Sequence, residues 1–274
     1  MIPRRMRIDF KGAPLHWSKV PEFATTMNAS SPIASAFEPY LNKVMATVRD
    51  TLPAGKEAVR RDIDLFIAQE GHHYRLHNIF NKELYATYPK LKQFEIELAG
   101  AHKQQLVSRS LKFNQAYCVG FENLACYMAK FTFAKARPYY EDSDRRVSTL
   151  FLWHNAEEFE HRGACNNALK AISGNYFLRI YGFLASMRRI MSYHKKMGHY
   201  MLEVDRATLT PEQRAASIRA EKEYNRRFAR YVFPRMLQIF LPFYNPEKQT
   251  APRSLHEALK DYEQLALSPE PLTA

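Results

Sequence analysis

An all-α bundle is the architecture this 274-residue chain predicts, on three observations. Apolar residues recur at helical spacing through long segments such as YLNKVMATVRD, STLFLWHNAEEFEHRGACNNAL and YFLRIYGFLASMRRIMSYHKKMGHYMLEV. Only 9 glycines are present, too few for a turn-dense β architecture. No two segments show the period-2 alternation of paired strands. Apolar residues make up 46% of the chain, with 16 Tyr and 18 Phe, so it can bury a substantial core.

Each element follows from local signals. Residues 1–32 lack clear periodicity and are expected to form an irregular arm. A helix is expected from Phe37-Glu38-Pro39, because proline suits a first helical turn, through to Leu52-Pro53. Glu38 then reads as a capping residue facing solvent. A second helix is expected over Lys56 to Tyr85, with Val59, Ile63, Phe66, Glu70 and His73 on its apolar face. Pro89 restarts the chain as one helix or two, which break at Arg137-Pro138. Another runs from near Asp144 to about Ile172, before the turn Ser173-Gly174-Asn175. A long basic helix follows from Tyr176, and Thr210-Pro211-Glu212 opens the next. Residues 33–232 thus form the bundle. Residues 233–274 form a C-terminal helical extension and tail, within one domain overall.

The formal net charge is +12, with lysines and arginines dispersed along the chain. No nucleic-acid signature accompanies them, so no nucleic-acid partner is expected. Cys118, Cys126 and Cys165 form no CxxC pair and suit a reduced compartment as buried small residues. The N-terminus has charge but no apolar segment after it, and no transmembrane stretch is present. A cytoplasmic location is expected.

The segment FIAQEGHHYRLHN concentrates Glu70, His72, His73 and His77. At about 100° per residue, Glu70, His73 and His77 fall within an arc of about 60°, while His72 points elsewhere. WHNAEEFEHR repeats the arrangement with His154, Glu158 and His161; Glu157 is marginal and Glu160 faces away. Glu122 stands among Tyr117, Val119, Phe121, Leu124 and Tyr127, where an uncompensated charge is costly. Two Glu-x-x-His helices, plus a glutamate from each of two others, make the ligand set of ferritin-like di-iron and di-manganese bundles. A ferritin-like four-helix bundle with additional C-terminal helices is therefore the expected fold. Carboxylates neutralise and bridge paired cations, and neutral imidazoles complete their coordination.

With Gln69-Glu70-x-x-His73-x-x-x-His77-Asn78, Glu122 and Trp153-His154-x-x-Glu157-Glu158-x-Glu160-His161, the chain resembles a bacterial family. That family is catalogued as predicted metal-dependent hydrolases and is better regarded as ferritin-like non-haem di-iron proteins. Its members carry Phe-Pro-x-Gly-Glu before the first helix. Here Phe37-Glu38-Pro39-Tyr40-Leu41 puts Leu41 in the glutamate's place. The expected metal ligands are Glu70, His73, His77, Glu122, His154, Glu158 and His161, with His77 and His154 making up for the absent carboxylate.

The expected function is an O2-activating di-iron oxygenase or oxidase with two iron ions and O2 as cosubstrate. Manganese or zinc is the alternative occupant, and the electron donor is not legible. The expected substrate is a small molecule, for which the positive charge suggests an anionic head group. A competing expectation is a hydrolase in which the metals acidify water. Iron storage ranks below both, because about 100 residues follow the metal-binding helices. A homodimer and peripheral membrane contact are the remaining partner expectations. The second rests on the stripe Tyr176, Phe177, Ile180, Phe183, Leu184, Met187 and Met191 beside Arg188 and Arg189, although a core role is favoured for that stripe. His194 and His199 are expected at the surface, and His102 and His256 in solvent.

Overall fold

The first helix is longer than its local signals suggest. In the computed structural model, which describes residues 1–273, α1 spans Pro21–Thr51 and carries Pro32 and Pro39 inside it. This corrects the expected irregular arm over residues 1–32, which ends at Val20. Each internal proline removes one backbone hydrogen bond and costs about 3 kcal/mol. Phe23, Met27, Ile33, Phe37, Leu41, Val44 and Val48 of the same helix are buried, at about 1.5–3 kcal/mol each. Burial outweighs the two interruptions, and Pro21 rather than Pro39 occupies the first turn.

The other helices are α2 (Glu57–Thr87), α3 (Lys90–Ser108), α4 (Leu111–Phe131), α5 (Arg145–Glu160), α6 (Ala164–Ile172), α7 (Tyr176–Arg206), α8 (Pro211–Met236) and α9 (Arg253–Leu267). Among the described residues there is no strand; Ile8 and Leu272 form an isolated bridge that ties the two ends of the chain together. The all-α expectation holds. The segment after Pro89 is two helices, because Arg109 is extended and Ser110 caps α4 by accepting from the Phe113 amide at 3.3 Å. The helix expected over Asp144 to Ile172 also divides. α5 ends at Glu160, His161 is its C-cap, and α6 resumes at Ala164.

α1 packs on α2, α3 and α7, and α4 packs on α5, α6 and α7. The α4–α7 crossing is close because glycines meet there. A Cβ on Gly120 would lie 2.7 Å from the Phe183 Cα, and one on Gly182 only 2.4 Å from the Ala116 carbonyl carbon. That crossing seats the α4 turn that carries Glu122.

Cys118, Cys126 and Cys165 are buried free thiols, as expected. His102 is buried rather than solvated, with its Nε2 3.2 Å from the Tyr117 hydroxyl. His194 is half-buried, 3.1 Å from the Thr26 carbonyl, and His199 is exposed. In the α7 stripe Phe183 is core, whereas Phe177 and Leu184 face solvent. No helix among the described residues is long and apolar enough to cross a membrane.

Candidate metal centre

α1, α2, α4 and α5 converge on a buried cluster of carboxylates and imidazoles. Glu70, Glu122, Glu158 and His161 each offer a ligand atom within 4.8 Å of the others, and Glu38, His73 and His154 do the same. Glu70 and Glu158 reach both groups. Glu70 Oε1 lies 3.2 Å from His161 Nε2 and 3.6 Å from His73 Nδ1. Glu158 places Oε2 3.3 Å from His161 Nε2 and Oε1 3.8 Å from His73 Nδ1. Glu122 Oε2 is 3.2 Å from His161 Nε2.

Glu38 is the residue that sequence reasoning missed. It is 1% exposed, one helical turn before Leu41, and its Oε1 lies 3.8 Å from His154 Nε2. The position read as a solvent-facing cap is therefore interior helix, and Glu38 shares its face with the buried Ala34, Leu41 and Met45. The available signal was the apolar periodicity continuing through both prolines.

The two Glu-x-x-His histidines are held in defined tautomers from behind. His73 Nε2 lies 3.0 Å from Glu157 Oε2, and a carboxylate there requires the imidazole to donate. His161 Nδ1 lies 3.3 Å from Gln69 Oε1, whose amide nitrogen donates to Glu160 Oε2 at 2.6 Å and so fixes the amide's orientation. Each ring therefore turns a bare nitrogen, His73 Nδ1 or His161 Nε2, toward the cluster. Glu157 and Glu160, expected to be marginal or outward, bond a common cation: Arg4 Nη1 donates to Glu157 Oε1 at 2.9 Å and to Glu160 Oε2 at 3.0 Å.

Arg4 is the N-terminal arm's anchor. Arg4→Ala would leave Glu157 buried without its partner, which is expected to cost about 3–5 kcal/mol in denaturant unfolding. Loosening the shell behind both histidines is expected to weaken metal binding by about 10–100-fold in a titration. An unchanged metal affinity would show that the arm does not position the cluster.

His77 is outside both groups, whereas His154 is a member of the one that holds Glu38 and His73. Both nitrogens of His77 are engaged, Nδ1 with Ser31 Oγ at 2.8 Å and Nε2 with His154 Nδ1 at 2.6 Å, which leaves none to face a metal. His154 Nε2 lies 2.8 Å from Glu158 Oε1. Asn123 and Tyr127, beside Glu122 in sequence, do not bond it: Asn123 Nδ2 and Tyr127 Oη have no partner among the described residues.

The residues present fit metal ions. Both oxygens of Glu38, Glu70 and Glu122, Oε2 of Glu158, Nδ1 of His73 and Nε2 of His161 are buried without a hydrogen-bond partner among the described residues. An unpaired buried carboxylate costs several kcal/mol, so such a convergence of bare lone pairs calls for positive charge. The electrostatics agree. Burial, then the Glu158 charge, push Glu122 up to about 8 against the opposing pull of His161. Burial and the Glu70 charge push Glu38 well above the carboxylate range. Burial opposes the charges of His161 and His73, yet the facing carboxylates hold both imidazoles well above their ordinary range.

Fold and site together define an all-α protein with a buried carboxylate–imidazole centre suited to metal ions. A family model described as predicted metal-dependent hydrolase matches residues 2–250. The chain belongs to that family, and the match spans every residue of the centre together with Arg4. No curated protein and no solved structure matches it.

Proposed function

We propose that the chain is a two-metal enzyme of ferritin-like architecture that uses O2 to oxidise a small organic substrate. One observation carries this reading. Four carboxylates and two bare imidazole nitrogens, from four helices, converge in a set of two Glu-x-x-His pairs and two further glutamates, which is the di-iron carboxylate pattern. In this assignment Glu38, Glu70, His73, Glu122, Glu158 and His161 would hold the ions, with Glu70 and Glu158 within reach of both histidines. Bound redox-active ions such as iron supply the electrons and open positions for O2 reduction.

The chain's own residues do the rest. Glu157 and Gln69 hold the two imidazoles in their ligating tautomers. The short contact between His154 Nε2 and Glu158 Oε1 requires a shared proton, which places an acid–base group at the edge of the centre. The apolar helix faces around the cluster exclude bulk water.

Hydrolysis is the second reading, and the family description favours it. There the ions would acidify a water molecule, and the His154–Glu158 pair would accept its proton. Oxygen separates the two. With iron and a reductant, O2 uptake is expected to depend on substrate and to vanish in Glu122→Ala. Turnover under anaerobic conditions with zinc or manganese would overturn the oxidative reading and establish the hydrolytic one.

A further inference from the structure

A cavity of about 170 Å³ lies between α1, α4, α5, α7 and α8. Among the described residues, only His154 and Glu158 of the metal cluster line it. His154 is also the most accessible member of that cluster, with 13% of its side chain exposed against 4% or less for the others. The centre borders this apolar cavity through His154 and Glu158, while His161 borders a separate, polar cavity on the side of Met1 and Glu247.

Its walls are apolar, formed by Ile33, Phe121, Leu124, Phe151, Ile190 and Phe228, and the exposed Asn225 stands on the solvent side. Tyr224 also brings a hydroxyl to the lining, and four other polar side chains there direct a bond elsewhere. Ser30 Oγ donates to the Met27 carbonyl at 2.6 Å, Thr26 Oγ1 to the Glu22 carbonyl at 2.8 Å, and Asn155 Nδ2 to the Phe151 carbonyl at 2.8 Å. His194 Nε2 is engaged with the Thr26 carbonyl at 3.1 Å. No lysine or arginine is in the lining among the described residues. With two divalent cations bound, the four glutamates of the centre would balance their charge, so the centre would add no net positive charge to attract an anion.

We infer that this cavity is the substrate site and that it takes a compact, uncharged, hydrocarbon-like molecule. A dry apolar cavity of about 150 Å³ accommodates benzene, so this one suits about six to eight carbon atoms. The anionic head group suggested by the +12 net charge finds no partner here; the dispersed surface cations that produce that charge lie outside the lining. That the bound molecule is the substrate rests on the proposed two-metal reading. That the cavity binds it does not.

The test is a calorimetric or ligand-observed NMR titration of the full-length protein under anaerobic conditions, metal-loaded and chelated. The probes are toluene and benzoate. Toluene is expected to saturate one site in both forms, with benzoate at least about tenfold weaker. Ala34→Leu and Ala125→Leu fill the cavity from two different helices, and each is expected to weaken toluene by at least about tenfold with metal content unchanged. Should neither variant fold, Ile190→Ala enlarges the same cavity and is expected to shift preference from toluene toward naphthalene. The assignment is overturned if toluene fails to saturate wild type, if benzoate binds as tightly, or if the folded variants bind as wild type does. Toluene binding together with anaerobic turnover on zinc or manganese would leave the cavity assigned and remove the oxidative reading; substrate-dependent O2 uptake without toluene binding would do the reverse.

Discussion

Glu38→Ala is expected to lower metal content from two ions per chain to one and to abolish turnover. The Glu38 carboxylate is buried with both oxygens unpartnered, and in the proposed assignment it is one of the carboxylates that would hold the ions, grouped with His73 and His154. Stability gives a second, independent readout. In the metal-free protein Glu38 is a desolvated group crowded by Glu70 and Glu158, so its removal relieves a cost. Glu38→Gln, which keeps the shape, is therefore expected to raise the Tm of the chelated protein while shrinking the further rise that metal produces. A helix-cap residue would behave oppositely, losing about 1 kcal/mol on substitution whether or not metal is present. Metal analysis and thermal unfolding with and without chelator distinguish the two, and two ions retained in Glu38→Ala would sink the assignment.

Chelation is expected to have an effect of similar size on the wild-type protein. An ion present at a thousandfold excess over its Kd stabilises by about 4 kcal/mol. For a chain of this size that is about 8–16 °C in Tm per ion. The pH dependence supplies the sign. In the metal-free protein burial pushes Glu122 up to about 8, so the folded state keeps a proton that the unfolded chain has released above about 4.5. His73 and His161 are likewise raised, and what they add is lost as pH rises through their folded values. His77 and His154 are lowered by burial and by neighbouring imidazoles, and they act in the opposite sense only below about 6.5. Between about pH 6.5 and 8, metal-free protein should therefore lose stability as pH rises. Metal displaces these protons, so metal affinity should increase across the same window. Urea unfolding at the two pH values, with and without chelator, measures both slopes; equal slopes would mean that the buried carboxylates are not the groups that metal neutralises.

Legibility of the centre depended on how each residue is specified. Glu70, His73, Glu158 and His161 could be grouped because both pairs repeat at i, i+3 within apolar helices, and spacing within one helix fixes direction. Glu122 was legible for another reason, since a lone charge among aromatic and aliphatic neighbours is anomalous wherever it occurs. Glu38 was obscured because Pro39 is a favourable helix start as well as a tolerated helix interruption, and the residue's own neighbours do not distinguish the two. Arg4, Gln69, Glu157 and Glu160 are ordinary polar residues in sequence. Their network is built by contacts between an N-terminal arm and two helices distant from it in sequence.

The sequence by itself determined the all-α class and the motif residues of α2, α4 and α5, because helical periodicity and local charge placement are properties of neighbouring residues. Tertiary structure decided that α1 runs through two prolines, that Glu38 completes the carboxylate set, and that His77 turns away to Ser31 and His154. It also decided which face of the centre opens onto an apolar cavity. These are outcomes of burial summed over several helices, and a local energy of about 3 kcal/mol at a proline cannot predict them when the opposing packing terms come from residues far along the chain.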